Sequence, residues 1–295
     1  MDEHERLAAR FEAHRTHLRS VAYRMLGSLS EADDAVQESW LHLSRSDTSG
    51  IENLGGWLTT VVARVCLDML RARNSRREEP LGAYVPDPIV RRADARDPEH
   101  ETLLAVEVGL ALLVVLETLS PAERVAFVLH DVFGVPFDEI APIVGRSVIA
   151  ARQLASRARR RVQGVATVPD ADLTSQRAVV DAFLAAARGG DFDALLALLD
   201  PDIVVRADLG GVPPGASREV RGARAVAEQA LTFSRRAQFV QKALVNGAAG
   251  IVSWLPGGRP FAVMGFTVRR AKIVEIDILA DPARLRQLDL AVLND

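Results

Sequence analysis

The hydrophobic period changes once along this chain, across the break Gly164–Asp172, and the two patterns need separate cores. Before the break, apolar residues recur at helical spacing over Leu7–Leu26, Ser30–Leu43 and Gly56–Arg73, and again from about Glu99 to Val162. Ser30 suits the N-cap of the second stretch, and the polar, Gly-rich Ser44–Gly56 reads as a loop. After the break, helices over Thr174–Arg188 and Phe192–Leu199 precede a strand at Ile203–Asp208, a loop holding Pro213 and Pro214, and a helix near Ala223–Ser234. Strands follow at Gln238–Val245, Gly250–Leu255, Arg259–Arg269 and Ile273–Leu279, with turn signals at Asn246-Gly247 and Pro256-Gly257-Gly258. That order predicts an α+β domain with one curved antiparallel sheet. At 295 residues, two or three domains are expected.

The formal net charge is only −3, but positive charge concentrates in Arg71–Arg77 and Arg146–Arg161. Between the two helical regions, Asn74–Pro98 holds four prolines and many charges and reads as a flexible linker that cannot bury a core. The one cysteine, Cys66, lies in an apolar helical pattern and reads as a small buried residue; no disulfide framework or cysteine zinc site is available. The opening MDEHERLAAR has no apolar signal run. Leu103–Leu119 is very apolar but carries Glu107 and Glu117, so it reads as a buried helix and not a membrane span. The chain is expected to be cytoplasmic, with no membrane contact.

Val135–Val162 reads as a helix-turn-helix. Gly145 ends its first helix and Ser147 caps the second. Ala151, Leu154, Ala155, Ala158 and Val162 then fall on one side, and Arg152, Gln153, Ser156, Arg157, Arg159 and Arg160 on the other. A solvated face usually mixes signs, yet no Asp or Glu occurs from Arg146 to Val162. A small apolar back with a guanidinium front suits a DNA major groove. The expected DNA-contacting set is Arg146, Ser147, Arg152, Gln153, Ser156, Arg157 and Arg160, with base edges nearer the N-terminal half and phosphates further along.

Three constellations in the first half resemble one family. Leu119-Ser120-Pro121-Ala122-Glu123-Arg124, then Phe127, Leu129, Asp131, Gly134, Glu139-Ile140-Ala141 and Gly145, looks like the −35-reading domain of bacterial extracytoplasmic-function sigma factors of the sigma-70 family. Glu31-Ala32-Asp33-Asp34-Ala35-Val36-Gln37-Glu38-Ser39-Trp40 resembles the helix by which those factors dock on the largest subunit of RNA polymerase. Trp57-Leu58 with Val65-Cys66-Leu67-Asp68-Met69-Leu70-Arg71 resembles the helix that meets the melted −10 element. The resemblance implies core RNA polymerase (its largest and second-largest subunits) and promoter DNA as partners. On the docking helix, Ala35, Val36 and Trp40 can pack inward while Asp34, Gln37 and Glu38 face a basic partner. On the next helix, Arg64, Asp68, Arg71 and Arg73 are the polar positions. The loop before it, where the family captures an unstacked base, offers Asn53, and Arg76 and Arg77 suit phosphates. Leu154 is apolar where many relatives carry a basic residue.

Arg177–Phe183 and Gly190–Leu195 resemble the opening of SnoaL-like domains of the NTF2-like fold, a cone of curved sheet around helices. The expected architecture is therefore multi-domain: two all-α units, the second with the helix-turn-helix, and a C-terminal α+β NTF2-like cone. Expected boundaries are 1–75, a linker 76–98, 99–163, a linker 164–172, and 173–295. Sigma factors with such an extension carry three short signatures, which appear here altered as Tyr84-Val85-Pro86-Asp87-Pro88, Asp208-Leu209-Gly210-Gly211 and Asp281-Pro282-Ala283-Arg284-Leu285. The resemblance implies a built-in control element in which Asp208–Gly211 contacts the linker near Tyr84–Pro88 and the first domain; the expected interdomain residues are Tyr84, Pro86, Asp87, Pro88, Asp208, Gly210, Gly211, Asp281 and Arg284. Alternatively, Asp208–Gly211 is a strand-ending turn.

The tail holds no His, Tyr or Cys, so an acid–base isomerase or cyclase is disfavoured, and no catalytic residue, metal or cofactor is expected. Asp277 alternates with Ile276 and Ile278, and a solvated strand face is favoured over proton transfer. The cone can hold a small ligand, which the sequence does not identify. A stand-alone helix-turn-helix regulator with a ligand-binding tail is the alternative to a sigma factor.

Overall fold

The apolar stripes of the first half close on one another as three long helices: α1 (Glu3–Leu26), α2 (Leu29–Ser44) and α3 (Leu54–Ser75). The structure is a computed structural model and describes residues 3–47, 50–75, 83–93, 109–165, 170, 172–210, 218–234 and 239–293. It divides into two compact units. One holds the described residues up to Ser75 and Val115–Val165; the other holds those of 83–93, 109–114 and from Asp170 onward.

In the first unit, Phe11, Leu18, Met25, Val36, Leu43, Leu58 and Leu67 supply buried side chains, with Cys66 among them. Burial pushes the Cys66 thiol far up, so it stays protonated and inert. Gly27, at φ 70°, ends α1. Ser28 is then extended and caps α2, two residues before the expected Ser30. Within Leu103–Leu119, the described helix is α4 (Leu110–Glu117). It leads into α5 (Pro121–Phe127), where the Ser120 N–H donates to the Glu123 carboxylate at 3.3 Å. A π turn at Val128–Val132, α6 (Phe137–Val144) and α7 (Val148–Val165) follow. The two helical sets belong to one unit, joined by the buried Arg124, which donates to the Met25 carbonyl at 2.9 Å and to Glu117 at 2.8 Å.

In the second unit, the strands are β1 (Val90–Arg92), β2 (Leu199–Asp208), β3 (Arg218–Arg221), β4 (Phe239–Val245), β5 (Ala248–Leu255), β6 (Arg259–Arg269) and β7 (Lys272–Leu279). They form one seven-stranded sheet in the order β1-β4-β5-β6-β7-β2-β3. It wraps α8 (Leu173–Gly189), α9 (Phe192–Leu198) and α10 (Ala223–Ser234) around a core that includes Phe183, Ile251, Phe266 and Ile276. A short α11 (Pro282–Leu285) and a 3₁₀ turn at Ala291–Leu293 follow β7.

Three expectations are corrected here. The sheet is mixed, because β2 runs parallel to β7, with Val205 beside Ile276. The stretch Tyr84–Arg92 within the expected linker is built into the fold. Val85 and Val90 are buried, and β1 pairs antiparallel with the edge of β4, Val90 opposite Val245. Asp277 and Glu275 are buried and not on a solvated face. The alternation is as expected, but the outer sheet face is itself covered. Gly265, opposite Asp277, lies against Leu110, 3.2 Å from where a Cβ would sit. No described helix is long and apolar enough to cross a membrane.

Candidate functional site

The helix-turn-helix is built from local rules. Gly145 takes the left-handed conformation (φ 65°) that ends α6, and its N–H bonds the Ala141 carbonyl. Ser147 Oγ accepts from Ala150 N at 3.2 Å, starting α7. Ala151, Ala155 and Ala158 on the back of α7 are fully buried, which brings the helix close to α5 and α6. Arg146, Ser147, Arg152, Gln153, Ser156, Arg157 and Arg160 are all exposed.

These seven differ in what they already hold. Arg157 Nε donates to Glu123 at 2.9 Å, and Arg161 lies 3.6 Å from the same carboxylate. Burial alone would raise Glu123, but Arg157, Ser120 and Arg161 together keep it below the usual carboxylate range. Arg159 Nε donates to Asp131 at 2.7 Å. The Arg152 guanidinium stands 5.7 Å from the centre of the Phe137 ring, which holds it at the front edge of α7. Arg146 and Arg160 pair with no acid among the described residues. Pattern reading missed Ile149, which is 70% exposed beside Arg152 and Gln153. An apolar side chain left in water on a basic face is the signal that was available.

On α2, Asp34, Gln37 and Glu38 are exposed, while Ala35 and Val36 are buried. Trp40 packs against Phe11 with ring centres 5.2 Å apart. On α3, Arg64, Asp68 and Arg71 are exposed, and Arg71 lies 3.4 Å from Asp68. Arg73 is placed differently from the sequence expectation. Its guanidinium turns onto Glu31 and donates to the Leu26 carbonyl at 3.4 Å, a cation at the C-terminus of α1. Asn53 caps α3, its Oδ1 accepting from Gly56 N at 3.0 Å. Its amide N–H groups and the second lone pair of Oδ1 remain for another partner. Arg76, Arg77 and Gly211 lie outside the described residues.

The second unit brings most of the remaining residues together around Arg284. Its Nε donates to Asp87 at 2.9 Å, one Nη to Asp208 at 2.7 Å, and the other Nη to the Val85 carbonyl at 2.7 Å. Tyr84 lies under the guanidinium, 4.8 Å from its carbon. Asp208 also accepts from Val85 N at 3.2 Å and from Gly210 N at 3.1 Å. Pro86, Asp87 and Pro88 are buried. Burial works against the charged Arg284, but Tyr84, Asp87 and Asp208 outweigh it and hold its pKa above the ordinary arginine value.

Gly210 sits at φ 81° against Asp281, where a Cβ would come within 3.0 Å of the carboxyl carbon. Asp281 itself caps α11, accepting from Ala283 N at 2.7 Å, and so positions Arg284 from behind. Asn246 completes the clasp: its Oδ1 accepts from Ile89 N at 3.0 Å and its N–H donates to the Ile89 carbonyl at 2.9 Å. In sequence it shows only as a turn residue. No cluster of His, Cys, Asp or Glu among the described residues is placed to hold a metal.

Two family models match the chain: Sigma-70 region 2 over residues 10–76, and Sigma-70, region 4 over residues 109–162. The chain is 42% identical to the ECF RNA polymerase sigma factor SigJ of Mycobacterium tuberculosis, over 92% of this chain and 91% of that protein. It is 35% identical to the probable ECF RNA polymerase sigma factor SigI of the same organism, over 98% of each. The crystal structure of M. tuberculosis SigJ superposes with a TM-score of 0.77 and 39% identity, covering 96% of this chain and 99% of that one.

Proposed function

Because this chain belongs to the extracytoplasmic-function sigma factors of the sigma-70 family, and so is an initiation factor that binds RNA polymerase, we propose that its own C-terminal cone governs when it initiates. In this reading the exposed face of α7 holds the −35 duplex, with Arg152, Gln153, Ser156 and Ile149 toward base edges and Arg146, Arg157 and Arg160 toward phosphates. Arg64, Asp68 and Arg71 serve the −10 side. Asp34, Gln37 and Glu38 engage the largest polymerase subunit, and the second-largest subunit completes the holoenzyme, which works in the cytoplasm. The cone acts as a regulatory binding module and not as an enzyme; residues 173–295 hold no His, Tyr or Cys to move a proton.

The observation that carries the regulatory part is the Arg284 clasp. A buried guanidinium shared by Asp87, Asp208 and the Val85 carbonyl ties to the cone the segment that connects the two promoter-reading regions. Such a tie changes activity only if it favours one arrangement of those regions over another. The test is transcription with purified core polymerase, comparing the full chain, a chain ending at Gly164, and Arg284→Ala. Both variants should change promoter output while retaining core binding; unchanged output from both overturns the regulatory reading. Gln37→Ala with Glu38→Ala should abolish core association. Intact association would place the polymerase contact on other residues.

A further inference from the structure

The sheet and helices of the cone enclose a cavity of about 620 Å³, within the range that drug-sized ligands occupy. Its floor and walls are apolar, with Phe183, Val205, Ile251, Met264 and Ile276 contributing. The lining hydroxyls are already committed, the half-buried Ser234 donating to the Ala187 carbonyl at 2.9 Å and the exposed Thr232 to the Glu228 carbonyl at 3.1 Å. Leu184, Val220, Phe233 and Phe261 point to the same space and are only half-buried, and Leu209 beside them is 38% exposed. Apolar surface facing inward but still in contact with water is what a ligand would cover.

Charged lining groups are Arg188, Arg218 and Glu228, and all three are exposed. Neither arginine pairs with an acid among the described residues. Polar recognition is therefore confined to the mouth, where positive charge exceeds negative. We propose that the cone binds a hydrophobic monocarboxylic acid, its apolar body inside and its carboxylate at the mouth beside Arg188 and Arg218. The inner wall is also linked to the clasp. Strand β2 presents Val205 and Ala207 to the cavity and then Asp208 to Arg284. An effect of the ligand on transcription rests on the regulatory reading above; the binding site does not.

Methionine methyl NMR on the full chain isolates the site without altering the cavity. Of the four methionines, only Met264 belongs to the cone; Met25 and Met69 lie in the helical unit, and Met1 is terminal. Dodecanoate, kept below micelle-forming concentrations, should shift the Met264 methyl saturably and leave Met25 and Met69 unmoved. Dodecanol should bind about three- to tenfold more weakly, and Arg188→Gln with Arg218→Gln should bring the acid down to the alcohol's affinity. An unmoved Met264 methyl overturns the site, as does a common shift of all three methyls. Equal affinity for acid and alcohol in the unsubstituted chain overturns the assignment of the ligand's head group. Saturable binding with no change in transcription overturns a link between the cavity and the clasp and leaves the site standing.

Discussion

Arg284 serves four partners at once, so its removal strips the buried Asp87 and Asp208 of the guanidinium they share. Breaking a buried ion pair on one side costs about 3–5 kcal/mol. Arg284→Ala should lower the thermal stability of the full chain by about that amount. Arg284→Lys should recover less than half of it, since one ammonium cannot reproduce a planar fork aimed at two carboxylates and a carbonyl. Full recovery by lysine would show that charge alone suffices. In the helical unit, the proposed −35 contact would set the exposed Ile149 against a thymine methyl. Ile149→Ser should weaken duplex binding by about 1 kcal/mol at one A·T pair, and Gln153→Ala should relax preference at a neighbouring pair by about 1–3 kcal/mol. Binding measured across a panel of singly substituted −35 duplexes checks both; a uniform loss on every duplex contradicts them.

At the scale of elements, β7 carries a buried acid that titrates. Burial pushes Asp277 up to about 6, outweighing Arg206, whose Nη lies 3.3 Å away; Glu275 and Glu219 share the same guanidinium. A carboxyl raised from 3.8 in the unfolded chain to about 6 when folded binds its proton more tightly in the folded state. Its stabilising contribution is complete below about pH 4 and lost as pH rises through about 6. Asp277→Asn should therefore flatten that part of the stability–pH curve, by a total on the order of 1–3 kcal/mol, read from thermal unfolding at several pH values. A slope unchanged by the substitution would place the titration elsewhere.

That acid also marks where sequence reading stopped. Alternation correctly put Glu275 and Asp277 on one face, but whether a face is wet depends on what lies over it, here Leu110 from far upstream. Helix α7 was legible almost residue by residue, because helical spacing alone decides that Ala151, Ala155 and Ala158 go inward and Gln153 and Ser156 outward. Arg73 was not, since a long side chain at a polar position can reach back to a neighbouring helix end. Four prolines announced a segment without a core of its own, yet Val85 and Val90 borrow one from a sheet edge that no local signal specifies. The parallel pairing of β2 with β7 was hidden for the same reason: its partners are distant in sequence.

Over the whole molecule, the pairing of β1 with β4 joins segments far apart along one chain, Val90 with Val245. The hydrogen bonds of such an edge do not record whether the added strand comes from the same chain or from another copy. What distinguishes them is the tether, which presents the strand at an effective concentration on the order of millimolar. A synthetic peptide of residues 83–93 should accordingly fail to displace the native segment at about 100 μM and compete only near millimolar. Displacement at micromolar peptide, seen as a shifted Met264 methyl or altered DNA binding, would mean that the internal strand is seldom seated. A contact held this way responds to whatever alters its strength, and is indifferent to how many copies of the protein are present.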